Sequence, residues 1–179
     1  LKILIPAYTL NTHPTHVSYQ QVSIPLYTKS TTVGSPELLS RTLMLKIPGA
    51  TSAQFNIVNE TSSMAGSLDI APAPQWVLVG NTYQEQWNLD SAVYATNVFA
   101  PASPISLGNI VNNNGQHYLP VVIHPLSYNP SQQQLKKYNE LTVDVFLDGN
   151  TQWTPDAPLN LTQVWSTEGG LKIGLDKDG

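Results

Sequence analysis

The chain has 179 residues, eight basic and twelve acidic side chains, and a formal net charge of −4. This length suits one domain with a sizeable core, and the weak negative charge excludes a basic surface for nucleic acid. The absence of cysteine excludes thiol catalysis and disulfides within the chain. No apolar run approaches the ~20 residues that span a bilayer, so no membrane span is predicted.

Short strands are predicted from the N-terminus onward, because proline and glycine interrupt the chain at short intervals. The clearest early strand places Leu43, Leu45 and Ile47 on one face of an extended segment. Residues 48–49, Pro-Gly, are expected to turn the chain back into a strand over residues 53–57. The sequence therefore predicts a hairpin between these two strands.

Catalytic and metal-binding residues are not recognisable in the sequence. His13 and His16 have a spacing that suits a metal ion, but no third ligand lies near them, so they are interpreted as ordinary loop residues. No Gly-X-Ser-X-Gly elbow and no glycine-rich phosphate loop is present. Neither an enzymatic activity nor a metal or other cofactor is predicted for this chain.

The segment from residue 71 to residue 104 differs in character from the rest. It begins with a stiff Ala-Pro-Ala-Pro run at 71–74, continues through an apolar stretch at 75–80, and becomes polar over 81–89. A loop of this length within a compact domain is usually functional or partly disordered. The alternative is that residues 76–79 form an ordinary core strand.

The longest strand signal lies between residues 116 and 149. Apolar residues alternate over 119–123 and again over 141–147, which is typical of strands with one buried face. The cluster 128–131, in which Pro130 holds Asn129 extended, is expected to turn the chain between the two arms. A long antiparallel hairpin is predicted, whose apolar face other strands must cover.

These patterns predict an all-β fold, an antiparallel β-sandwich of the jelly-roll type, in a single domain over residues 1–165. The glycine-rich, charged residues 166–179 are expected to form an exposed, linker-like tail.

Three ordered motifs carry a resemblance to a known family. They are Val-Gly-Ser-Pro-Glu at 33–37 with Ile-Pro-Gly-Ala-Thr at 47–51; Tyr94-Ala95, Phe99, Pro101 and Leu107-Gly108; and Val-Val-Ile-His-Pro-Leu-Ser-Tyr-Asn-Pro at 121–130 with residues 134–145. Together they resemble the N-terminal propeptide of gingipain-type cysteine peptidases of clan CD, over roughly residues 20–149. One departure is Leu38-Leu39-Ser40, where the family has Leu-Pro.

The resemblance implies a β-sandwich propeptide that assists folding and blocks the active site until it is cleaved. The implied partner is the catalytic domain of the cognate cysteine peptidase, in cis or held non-covalently after cleavage, with residues 166–179 leading towards it. The implied location is outside the cell or on its surface, after removal of a signal peptide.

The resemblance also implies an inhibitory loop, which follows residues 71–74. The candidate residues are Gln75, Trp76, Val77, Leu78, Val79, Gln84 and Glu85. Gingipain propeptides present a basic residue from this loop, whereas here the loop contains neither Lys nor Arg. Three interpretations stay open: the cognate peptidase prefers a non-basic residue, the loop acts sterically, or this copy does not inhibit.

A function of another class is also open, namely a stand-alone surface or secreted β-sandwich for adhesion or glycan binding. Exposed tryptophans would then stack on sugar rings, and the chain offers Trp76, Trp87, Trp153 and Trp165.

Overall fold

The computed structural model describes residues 1–149 and 151–153, which form fourteen strands and one short helix. The elements in chain order are β1 (Lys2–Leu4), β2 (Thr9–Thr12), β3 (Gln20–Ser23), β4 (Thr28–Lys29), β5 (Leu39–Ile47), β6 (Ala53–Ala65), β7 (Gln75–Val79), β8 (Thr82–Gln86), α1 (Ser91–Tyr94), β9 (Ile105–Leu107), β10 (Val111–Asn113), β11 (Gln116–Ile123), β12 (Leu126–Asn129), β13 (Gln134–Leu147) and β14 (Thr151–Trp153). Within these residues, no helix is long or apolar enough to cross a membrane.

Two five-stranded antiparallel sheets form the body of the domain. In the first sheet the 14-residue strand β13 is central: β6 pairs along one edge, and β12, β1 and β14 follow one another along the other. In the second sheet the order is β10-β11-β5-β4, with β9 also on β11. The prediction of an all-β fold with antiparallel sheets is confirmed.

The hydrophobic core lies between the two sheets. Leu45, Leu119 and Val121 enter it from the second sheet, and Leu141 and Val143 enter it from the first. The alternation seen in the sequence therefore marks the inward face of each strand, since burial of these side chains is the dominant stabilising term.

The two hairpins predicted around this core are wrong. β5 pairs with β11 rather than with β6, and β6 pairs with β13 instead. Likewise β11 and β12 lie in different sheets, so only the short segment β12 forms a hairpin with β13. The physical reason is that alternation identifies a buried face but not the partner strand, and both sheets present the same kind of face to one core.

The connection from β5 to β6 is an arch between the sheets, and side chains from both sheets hold it. The Asp148 carboxylate, beyond β13, accepts hydrogen bonds from the backbone N–H groups of Thr51 (2.8 Å) and Ser52 (3.0 Å). The His117 ring, on β11, contacts the Ala50 backbone through Nδ1, which lies 3.2 Å from the Ala50 N–H and 3.1 Å from the Ala50 carbonyl oxygen. The hydrogen bonds from Thr51 and then Ser52 lower the pKa of the Asp148 carboxyl.

Two further pairs of strands lie outside the sandwich sheets. β2 and β3 form one two-stranded sheet, and β7 and β8 form another. The first contributes Val22 to the core, whereas the second is exposed.

Candidate functional site: a hairpin outside the two sheets

Residues 75–86 form a hairpin, which is called here the projecting hairpin. Its two strands pair with each other and with no other described strand. Val79 lies opposite Thr82, so the turn consists of Gly80 and Asn81. Gly80 has φ of +63°, which a glycine adopts at little cost and which tight two-residue turns demand. With five residues in each strand, the tip is about 16 Å from the base at the usual strand rise.

One face of the projecting hairpin is apolar and exposed. Trp76 lies opposite Glu85, and Leu78 lies opposite Tyr83, so these four side chains share a face. Trp76 is 60% exposed, Leu78 is 61% exposed and Tyr83 is 68% exposed. The three residues Trp76, Leu78 and Tyr83 are called the aromatic face, with Glu85 at its base.

The seven residues predicted as an inhibitory loop all lie in the projecting hairpin, but in strands rather than in a loop. They are divided between the faces: Trp76, Leu78 and Glu85 on the aromatic face, and Gln75, Val77, Val79 and Gln84 on the other. The alternative of a buried core strand fails, because of residues 76–79 only Val77 is even half-buried.

Tyr83 lies within the predicted loop, residues 75–85, but was not among the candidate residues named for it. The signal was present: a Gly-Asn pair at 80–81 favours a two-residue hairpin turn, and that turn places Tyr83 opposite Leu78. The segment was interpreted as a loop because its second strand is polar and carries no apolar alternation.

The chain enters the projecting hairpin through buried backbone. Ala71 and Ala73 are fully buried. Ala73 N–H donates to the Ser35 carbonyl at 2.8 Å, Gly34 N–H donates to the Ala73 carbonyl at 3.0 Å, and Glu37 N–H donates to the Ala71 carbonyl at 2.8 Å. The stiff run at 71–74 is thus anchored along its length by residues 34–37.

The chain leaves the projecting hairpin at the same place. Asp90 N–H donates to the Gly34 carbonyl at 3.0 Å. The Asp90 carboxylate then caps α1 by accepting hydrogen bonds from Ala92 N–H and Val93 N–H. At the end of α1, Tyr94 O–H donates to the Ile70 carbonyl at 2.7 Å, one residue before the buried run.

Trp87 closes the base of the projecting hairpin against two histidines. Its ring meets the His13 ring edge-on at 4.2 Å between centroids, and the His16 ring lies 6.0 Å away. His13 is 1% exposed, and its Nδ1 accepts hydrogen bonds from His16 N–H and Thr15 N–H. The neutral ring therefore carries its proton on Nε2, which is buried and finds no hydrogen-bond partner in the described part of the chain. Burial, and next the neighbouring His16, lower the pKa of His13.

Charge is scarce around this site. The projecting hairpin carries one ionisable carboxylate, Glu85, and no basic residue. Behind the buried run, Lys29 pairs with Glu37 at 2.6 Å, and burial raises the pKa of Glu37 despite that partner. The surface presented by the hairpin is consequently apolar with a single acidic group.

The other predicted features do not form a site. Among residues 1–149 and 151–153, no three His, Cys, Asp or Glu side chains come together as a metal ion would need. Trp76 is exposed, Trp87 is half-buried against the histidines, and Trp153 lies in β14. Trp165 and the predicted tail 166–179 lie outside the described residues.

Comparison with known proteins gives one family match and two similar solved structures. Residues 7–165 match the family Propeptide_C25. A structure of a complex between the pro- and mature domains of RgpB from Porphyromonas gingivalis is similar, with a TM-score of 0.70, 18% identity, and coverage of 86% of this chain and 82% of that chain. A structure concerned with the zymogenic latency of gingipain K from Porphyromonas gingivalis has a TM-score of 0.62 and 18% identity, covering 79% and 84% of the two chains. No curated protein matches this chain.

Proposed function

Because the chain belongs to the Propeptide_C25 family and is the propeptide domain of a C25 cysteine peptidase, not its catalytic part, we propose that its projecting hairpin blocks the substrate cleft of the catalytic domain. The sandwich is then the scaffold that holds the hairpin and assists folding of the peptidase. A stand-alone adhesion domain is not favoured by this family membership.

The observation that carries the proposal is the exposed hairpin on a buried stem. Three large apolar side chains that remain at least 60% exposed in the described part of the chain mark a surface for a partner. Neither β7 nor β8 pairs with a further strand among residues 1–149 and 151–153, so the outer backbone groups of both strands can pair with an extended segment, which is how peptides are held in many clefts. The anchored stem at 71–74 and 87–90 lowers the ordering cost of binding.

The two similar structures support this proposal through the proteins and the process that they describe. One contains a pro-domain together with its mature domain, and the other concerns zymogenic latency. The partner proposed for this chain is likewise the catalytic domain that it accompanies, in cis or non-covalently after cleavage. We propose a secreted or cell-surface location for the pair.

The test replaces residues 76–79 with Gly and Ser and titrates the variant against the mature peptidase. Because these residues contribute little to the core, the variant is expected to keep its strand circular dichroism and Tm while inhibition falls by at least about a hundredfold, as the loss of interface anchors predicts. A matched control replaces Val58 and Met64 with Ser; both are 55% exposed in β6, which pairs with β13 and not with the hairpin. Inhibition that survives the hairpin change in a folded protein eliminates the hairpin as the blocking element.

A further inference from the structure

We infer that the pocket that receives this hairpin is apolar, and that the cognate peptidase cleaves after a large apolar or aromatic residue, not after Lys or Arg. The inference rests on the proposed function and names the substrate class of the blocked cleft. Three properties of the projecting hairpin carry it.

The first property is that the hairpin offers no cation. None of residues 75–86 is Lys or Arg. Lys29, which is linked to the stem through Glu37, is held at 2.6 Å by the buried carboxylate of Glu37. A pocket built to select a positive charge would find no ligand on this hairpin.

The second property is the identity of the side chains nearest the tip on the aromatic face. Leu78 and Tyr83 face each other one pair before the turn, and both are more than 60% exposed. They are therefore the first bulky side chains of the aromatic face to enter a cleft, and burying them there gains hydrophobic free energy only if the walls are apolar. A Tyr can also place its hydroxyl at a polar rim.

The third property is the sign of the single charge. Glu85 lies on the same face as Leu78 and Tyr83, opposite Trp76. A pocket selective for Lys or Arg requires an acidic group, which would repel Glu85 and would itself be desolvated without a partner against the aromatic face. An apolar pocket would neither repel Glu85 nor contain an acidic group that loses its solvation.

The experiment measures the peptidase and the propeptide separately. The mature cognate peptidase, freed of propeptide, is assayed on fluorogenic peptides that differ only at the cleaved residue, which is Tyr, Leu, Arg, Lys or Glu. We expect kcat/KM for Tyr or Leu to exceed that for Arg and Lys by at least about tenfold, the range that pocket contacts supply. Preference for Arg or Lys overturns the inference.

The second arm uses full-length propeptide carrying Leu78→Ser, Tyr83→Ser or Tyr83→Lys, with Val58→Ser as the matched exposed control. Each serine variant is expected to raise Ki at least about tenfold, and Tyr83→Lys is expected to raise Ki further. An acidic pocket would instead make Tyr83→Lys a tighter inhibitor than the parent, and that result would contradict the inference. If all hairpin variants inhibit like the parent, the proposed function itself fails. If inhibition depends on the hairpin but the peptidase cleaves after Lys or Arg, the substrate inference alone fails.

Discussion

The backbone N–H of Gly34 donates to the carbonyl oxygen of Ala73 at 3.0 Å, at the point where the chain leaves the sandwich for the projecting hairpin. The carbonyl oxygen of Gly34 accepts from Asp90 N–H, where the chain returns. One residue thus joins both ends of the segment. This explains how a hairpin outside both sheets keeps a defined position.

Gly34→Ala is expected to weaken the two hydrogen bonds that attach the projecting hairpin to the sandwich. Gly34 has φ of +81°, and a Cβ there would lie 3.2 Å from the Asn88 carbonyl oxygen and from the Asp90 Cβ. Backbone strain of this kind costs about 1–3 kcal/mol. Hydrogen exchange of the amides in residues 75–86 should accelerate and inhibition should weaken.

The control for this change is Gly66→Ala, where a Cβ meets nothing within 4 Å. Its free energy of unfolding should stay within about 0.5 kcal/mol of the parent. Unaltered exchange in the hairpin of Gly34→Ala would show that Gly34 does not hold its base.

The class of fold was predictable from sequence because alternation is a local property. Leu45 and Val143 were both assigned to inward faces, and both are buried. Strand pairing was not predictable, because the Pro-Gly pair at 48–49 is typical of a hairpin turn, whereas the chain crosses to the other sheet at this point. Hydrogen bonds that join residues 50–52 to Asp148 and His117, roughly 70 to 100 residues away in sequence, hold the chain on that path.

The candidate site was predictable as a segment but not as a geometry. The family resemblance located residues 75–85, whereas the face that Tyr83 shares with Leu78 follows only once the two strands pair across the Gly80-Asn81 turn. The closure of the projecting hairpin at its base depends on Gly34, about 40 residues upstream, and on the ring contact between Trp87 and His13. Such contacts between distant segments have no signature in a single sequence.

Val143→Asp is expected to destabilise the domain by at least about 3 kcal/mol, because an unpaired carboxylate would be buried in the core. Val143 is 1% exposed in the central strand of the first sheet. Thr142→Asp, its half-buried neighbour on the opposite face, is the matched control and should cost much less. Urea unfolding measures both; equal effects of the two changes would contradict the assignment of faces.

Asp148→Ala is expected to lower the Tm by releasing the arch between β5 and β6. The carboxylate satisfies the N–H groups of Thr51 and Ser52 together, and these hydrogen bonds lower its pKa. Since the folded pKa is below the unfolded one, the stabilisation is present above the unfolded pKa, about 3.9, and is lost as the pH falls through the folded pKa. Scanning calorimetry should therefore show a difference between parent and variant at pH 7 that shrinks below about pH 4. A difference that does not change with pH would assign the effect to packing.

The base of the projecting hairpin should be sensitive to mild acid through His13. Burial, and then His16, hold its pKa below the ordinary value of 6.5. The unfolded chain therefore takes up the proton first, and the free energy of unfolding falls as the pH drops through about 6.5 and continues to fall until the native pKa is reached. His124, whose pKa burial also lowers, adds to this trend elsewhere in the domain.

His13→Asn isolates the contribution of His13, since an Asn side-chain oxygen can accept the hydrogen bonds from His16 N–H and Thr15 N–H without titrating. The variant is expected to be less stable than the parent at pH 7.5, because the contact with Trp87 is reduced, but to lose less stability between pH 7.5 and 5.5. His16→Asn, which removes an exposed ring and leaves His13 buried, should retain most of the parent's pH dependence. Urea unfolding at the two pH values gives the difference directly. Parallel pH dependences of parent and His13→Asn would show that protonation of His13 does not couple to folding.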